Sequence, residues 1–239
     1  LGANHPTTAL SLNNLAGLYD HQGKFVQAEP LLVRALAIKE EQLGANHPTT
    51  ALSLNNLAML YRNQGGDAQA EPLLVRALAI YEEQLGANHP DTATCLNNLA
   101  LLYDNQGKYA QAEPLYERAL TIREAQLGAN HPDTASSLNN LALLYYRQRK
   151  YTEAEPLYER ALAISEEQLG ANHPDTASSL NNLALLYYTQ GKYGEAEPLL
   201  KRALSIAEQA LGSEHPITQN IQQRYTALLE TMKRDEAPE

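Results

Sequence analysis

The chain has 239 residues, a formal net charge of −10, one cysteine and no tryptophan. That charge argues against a nucleic-acid binder, which needs a basic stripe to displace counterions from phosphates, and the lone Cys95 excludes a disulfide framework or a cysteine metal site. No apolar run approaches the ~18–20 residues that span a bilayer and no signal peptide is visible, so the sequence reads as soluble and cytoplasmic, with no membrane or nucleic-acid partner.

The phrase LGANHP opens at Leu1, Leu43, Leu85, Leu127 and Leu169, and a variant, LGSEHP, at Leu211, always 42 residues apart. Internal repetition at such a period decides the architecture before any single element does. It defines one repeat domain over 1–239, with units 1–42, 43–84, 85–126, 127–168 and 169–210 and a capping remnant, 211–239. Residues 127–146 and 169–188 are identical, and the fourth and fifth units agree at 33 of 42 positions.

Two helices are predicted in each unit, a first (A) from the proline of LGANHP and a second (B) that ends at the next Leu-Gly. The first unit begins inside the phrase, so the chain is expected to be a piece of a longer protein. Its leading surface is either covered by missing sequence or open to head-to-tail self-association, a contact that need not close into a ring. The second unit has Gly65-Gly66-Asp67 where the third has Gly107-Lys108-Tyr109. Without an aromatic under its turn, it is expected to be the loosest. The fourth unit has Arg149 in place of the turn glycine, at a cost of about 1–2 kcal/mol if that position needs positive φ.

The fifth unit spells the pattern out. Pro174 suits a first helical position. Leu180, Leu183, Ala184 and Tyr187 then form one apolar stripe at helical spacing, and Gly191 ends the run. A second stripe follows at Ala196, Leu199, Leu200, Ala203 and Leu204, ending at Gly212, which suits a left-handed position. Pro198 is tolerable only if this helix starts near Tyr193 or Gly194, which puts the proline near the end of the first turn. Neither helix can bury its stripe alone, so the units must stack as a solenoid. The remnant holds one helix, with Gln222, Gln223 and Arg224 expected on the exposed side of a terminal cap.

The set Leu180, Leu183, Ala184, Tyr187, Gly191, Tyr193, Ala196, Leu200, Ala203 and Leu204 resembles the tetratricopeptide repeat. The 42-residue period with LGxxHP and LNNLALLY is most similar to its kinesin light chain type, as found in bacterial arrays. The resemblance implies an all-α fold, a right-handed superhelical solenoid of helix-turn-helix repeats, acting as a scaffold for protein binding. Two departures stand out. Leucine (Leu12, Leu54, Leu96, Leu138, Leu180) replaces the motif's tryptophan, and Glu40, Glu82, Glu124, Glu166 and Glu208 replace the proline that usually ends helix B. Helix B is therefore expected to run on.

Chemistry is hard to place on this pattern. His5, His47, His89, His131, His173 and His215 recur once per repeat before proline. Packed helices lie ~8–10 Å apart, too far for successive histidines to share a zinc ion with ligands at ~2 Å, so they read as helix-start residues. Glu153, Glu155, Glu166 and Glu167 read as a solvated outer face, with Glu197 and Lys201 as a favourable i,i+4 pair. No catalytic residue, metal site or cofactor is expected.

The paired asparagines point to function. On a helical wheel Asn14, Asn56, Asn98, Asn140 and Asn182 lie opposite the core stripe, with Asn13, Asn55, Asn97, Asn139 and Asn181 on its flank. The resemblance implies that this face lines a concave groove. An amide donates and accepts at once, so a column of them can hold the backbone of an extended peptide. A helix spacing of ~10 Å matches about three residues at ~3.3 Å each. The other reading is that these amides bond neighbouring helices and hold the stack. The groove floor runs Gly17, Met59, Leu101, Leu143, Leu185; its edge runs Asp20, Arg62, Asp104, Tyr146, Tyr188, with Arg147 beside it. Kinesin light chains use such grooves for acidic cargo peptides, but here only Arg62 and Arg147 supply positive charge. The leading function is a non-enzymatic scaffold for a peptide or partner protein. The alternative is a structural spacer or sensor array of a larger protein, or a self-associating module.

Overall fold

In the computed structural model the described residues are residue 2 and residues 4–235; the outer limits of the expected domain, at 1 and 236–239, lie outside them. These residues form helices and no strand. The A helices are α1 (Pro6–His21), α3 (Pro48–Asn63), α5 (Pro90–Asn105), α7 (Pro132–Arg147) and α9 (Pro174–Thr189). The B helices are α2 (Phe25–Leu43), α4 (Asp67–Gln84), α6 (Tyr109–Leu127), α8 (Tyr151–Gln168) and α10 (Tyr193–Leu211), and α11 (Pro216–Asp235) closes the order. In space the chain divides into two compact units that each hold several repeats, a first of Leu1–Ile122 and a second of Arg123–Glu239.

Each A helix starts the same way. Proline stands at the first position, and the preceding histidine caps it: Nδ1 of His5, His47, His89, His131, His173 and His215 accepts the N–H two residues on. The recurring histidines are thus helix caps, each supplying the acceptor that an orphan N–H needs. A buried threonine fixes the loop beside them, as Oγ1 of Thr50, Thr92, Thr134 and Thr176 donates to the carbonyls of Gly44, Gly86, Gly128 and Gly170.

The B helices correct two expectations. The proline is the sixth residue of each, as Pro198 is in α10, so it sits in the second turn rather than the first. The lost N–H falls where a first-turn residue's carbonyl loses its helical partner. The closing glycine does have positive φ, but Gly44 (φ 102°, ψ 155°) and Gly212 (φ 86°, ψ 161°) are extended, not left-handed helical. That region is essentially reserved for glycine. At the A–B turn Arg149 has φ 62°, matching Gly107 (72°) and Gly191 (76°), so the position does require the left-handed conformation.

Alanine makes the stacking possible. Ala16, Ala28, Ala58, Ala70 in the first unit and Ala142, Ala154, Ala184, Ala196 in the second are fully buried. Around them pack Leu54, Leu60, Leu74 and Leu102 in the first unit and Tyr158, Leu180, Leu186 and Leu200 in the second. The first repeat differs. Leu15 and Leu18 of α1 are 41% and 54% exposed, whereas their equivalents Leu183 and Leu186 of α9 are 4% and 0% exposed.

Candidate functional site

The two asparagines of an A helix differ in burial. In two of the A helices the first is drawn towards the next A helix. Asn13 Nδ2 donates to Ser53 Oγ (3.5 Å) and Asn139 Nδ2 to Ser179 Oγ (3.1 Å), while Asn55 and Asn181 are buried. The serine is not copied everywhere. Cys95 takes its place in α5, and there Asn98, from the second column, donates to Asn55 Oδ1 at 2.9 Å. In α11 the same place is Ile221, which offers no acceptor; the buried Oδ1 of Asn181, like those of Asn13 and Asn139, has no hydrogen-bond partner among the described residues. Burial pushes the Cys95 thiol up to about 12, so it is inert packing.

The second column is more open. Asn14 is exposed and Asn56, Asn140 and Asn182 are half-buried. Asn14, Asn56 and Asn182 make no side-chain hydrogen bond among the described residues. Leu101, Leu143 and Leu185 are half-buried on the same face, and Arg147 is exposed. The tyrosines are less available than expected. Tyr146 Oη meets Thr189 Oγ1 at 2.9 Å and Tyr188 Oη meets Thr231 Oγ1 at 3.4 Å. Their rings tilt against Tyr151 and Tyr193, with centroids 5.8 and 5.5 Å apart. Asp104 is buried and so is not an edge residue.

Within each unit, clefts open beside these A-helix residues. In the second unit a polar one of about 300 Å³ is lined by Asp133, Ser136, Asn140, Asp175, Ser178 and Asn182, among others. In the first unit Gly17 stands where later repeats carry Met59 or leucine, and a cleft of about 200 Å³ opens among Asp20, Leu32, Asn56 and Met59. Asn63 Nδ2 holds both oxygens of Asp20 at 3.2 Å. The same position in α11 is Ala227, and a cleft of about 90 Å³ opens there among Leu185, Tyr188, Leu200 and Arg224.

Arg224 departs from expectation. It is half-buried rather than displayed on the cap's outer surface, because its register in α11 is that of Asn182 in α9. Its Nη1 is buried with no hydrogen-bond partner. Burial lowers its pKa, opposed by Tyr146 and Tyr158.

The glutamates also depart from a simple solvated face. Glu40, Glu82 and Glu124 each take Nη1 of an arginine one repeat on, Arg76 (2.7 Å), Arg118 (2.6 Å) and Arg160 (2.5 Å), and Glu166 pairs with Arg202 in the same way. Nη2 of each arginine donates to a loop carbonyl of Ala45, Ala87, Ala129 or Ala171. The glutamates that displaced the motif's proline therefore tie consecutive B helices and the loop between them. A matching 42-residue recurrence of arginine and glutamate was visible in the sequence, but only the fold shows that the two meet. Glu155 likewise accepts from Lys192 Nζ at 3.2 Å. The i,i+4 pair of Glu197 and Lys201 does not form an ion pair; near the surface such a pair would gain little.

Among the described residues no group of histidine, cysteine and carboxylate side chains could hold a metal ion. No helix there is long and apolar enough to cross a membrane. The sequence pattern of the tetratricopeptide repeat family matches residues 7–83, 49–125, 105–155 and 133–209. No curated protein matches. Solved structures do. A candidate kinesin light chain of Podosopora anserina with nearly identical TPR-like repeats is 30% identical, with 87% of this chain and 98% of that one covered and a TM-score of 0.69. BtubC from P. vanneervenii is 30% identical over 88% of this chain and 84% of its own, with a TM-score of 0.74. Pseudomonas aeruginosa pilF, at 19% identity over 95% and 92% with a TM-score of 0.61, shares the fold.

Proposed function

Because the chain belongs to the tetratricopeptide-repeat family, whose members are generally non-enzymatic scaffolds for other proteins, we propose that it holds an extended peptide segment of a partner along the A-helix face opposite its core. One observation carries the reading: the Asn182 amide, with no hydrogen bond among the described residues, stands with Asn140 in a polar cleft of about 300 Å³. Such an amide can accept a backbone N–H and donate to a backbone carbonyl at once. Leu143 and Leu185 on the same face supply apolar surface for alternate side chains. Peptide binding needs no metal, cofactor or catalytic group.

A second reading, amides as ties within the stack, is favoured at one repeat by the bond from Asn98 to Asn55. One experiment separates the two. The triple substitution N14A, N56A and N182A is compared with the parent chain in thermal melting and in retention of dye-labelled random heptapeptides. The proposal expects an unchanged melting curve and at least severalfold weaker retention, since each lost hydrogen bond is worth about 0.5–1.5 kcal/mol. A melting point lowered by several degrees without peptide, or unchanged retention, contradicts it.

A further inference from the structure

We propose that the cleft beside Ser165 and Ser179 takes an arginine side chain of the bound partner segment, its guanidinium standing where, one repeat earlier, the chain places its own. The site rests on the peptide-binding reading above and adds to it the chemistry of one ligand residue.

The first argument is a place that the chain fills elsewhere. At one position near the end of the B helices stand Lys39 in α2, Tyr81 in α4 and Arg123 in α6, all buried. In α8 the same position is Ser165. Serine is several atoms shorter than any of the three, and beside it, between α7 and α9, lies the polar cleft of about 300 Å³. Residues 132–146 and 174–188 are identical, so the A helices at this level present the same groups. The cleft is room that a longer side chain would fill.

Arg123 shows what suits that room. Its Nη1 donates to the Asp133 carbonyl and to Ser137 Oγ, each at 2.9 Å. Burial lowers its pKa, and the charge of Asp133 opposes that. The counterparts of these two residues in α9 are Asp175 and Ser179, and both line the cleft. Ser179 Oγ accepts once, from Asn139, and lies 3.3 Å from Ser165 Oγ, whose own proton goes to the Ala161 carbonyl. A hydroxyl has two lone pairs, so Ser179 can take a further donor. The Asp175 side chain is 73% exposed, and its ion-pair neighbour among the described residues is its own capping His173, at 3.7 Å. The acceptors of the Arg123 site are thus repeated at Ser165, and the guanidinium is not.

The same column separates guanidinium from ammonium. Lys39 makes no side-chain hydrogen bond among the described residues, whereas Arg123 Nη1 makes two. A planar fork reaches acceptors on separate groups, and an ammonium is a compact point charge. Access comes from the groove side, where Ser136 is exposed and Asn140, Ser178 and Asn182 are half-buried along the cleft. A backbone held by Asn140 and Asn182 has the cleft within reach of a long side chain. The net charge of −10 favours a cationic ligand over an acidic one.

The test uses the full chain and three pools of dye-labelled random heptapeptides, alike except at the centre. There they carry arginine, its neutral analogue citrulline, or lysine. The arginine pool is expected to bind at least about tenfold more tightly than the citrulline pool, with the lysine pool between them. S165R gives α8 the residue that α6 carries, so its melting point should be unchanged or raised. It should bring the arginine pool down to the citrulline pool and leave the citrulline pool as it was. D175N changes an exposed side chain and keeps the fold even if S165R does not; it should cut the arginine preference at least about threefold. Equal binding of the arginine and citrulline pools to the parent chain, or an arginine preference that survives in D175N or in folded S165R, overturns the proposal while the groove reading stands. Lysine binding as tightly as arginine overturns it too, because the site would then read charge without the planar fork. If no pool binds the parent chain, the groove reading fails and this site with it.

Discussion

The first repeat and the terminal helix open the same cleft with opposite chemistry. In each, an A-type helix carries a small residue at the floor position, Gly17 or Ala227. Beside Gly17 stand Asp20 and Asn56, and beside Ala227 stand Tyr188 and Arg224. The backbone is copied from repeat to repeat, so the cleft is a property of the fold. What it can bind is set by the residues that were not copied. The two regions differ in packing too, with Leu15 and Leu18 exposed on α1 and Leu183 and Leu186 buried on α9.

The largest expected effect tests that packing difference. Leu186→Ala should cost about 2–5 kcal/mol in chemical denaturation, as a cavity in a closed core does, whereas Leu18→Ala should stay within about 0.5 kcal/mol. Equal costs would mean that α1 is covered in solution. A second substitution sharpens the contrast between turns that were copied and one that was not. Arg149→Gly should stabilise the chain by about 1–2 kcal/mol, because φ is 62° there and only glycine adopts it freely; no gain would show that the turn relaxes. Next, Gly17→Ala should add about 1 kcal/mol of helix propensity, since a new Cβ meets nothing within 4 Å. Destabilisation would show that the first cleft needs its open floor. The smallest effect separates two asparagines. Asn98→Ala, which breaks the bond to Asn55, should cost about 0.5–1.5 kcal/mol, and Asn182→Ala should leave the melting curve in place.

The period made the helices legible from sequence alone. Proline after histidine marked every A-helix start, and the stripe Leu180, Leu183, Ala184 and Tyr187 marked the buried face, because both signals are local and repeat unchanged. Long-range pairings were not legible. Glu166 looked solvated because its partner, Arg202, lies 36 residues away on another helix. Asn98 looked like Asn14, Asn56 and Asn182, but its amide meets Asn55 on the preceding A helix. Arg224 looked like cap surface because a helical wheel gives the face a residue is on, not whether the preceding helices bury it.

The central claim is that the second asparagine of the A helices meets a ligand backbone. It is tested most directly by following side-chain amide signals of the 15N-labelled chain as random heptapeptides are added. Saturable shifts at Asn56 and Asn182, with Asn98 and the buried Asn181 unmoved, are the predicted result. Saturable peptide binding that leaves Asn56 and Asn182 still, or no binding at all, would contradict it.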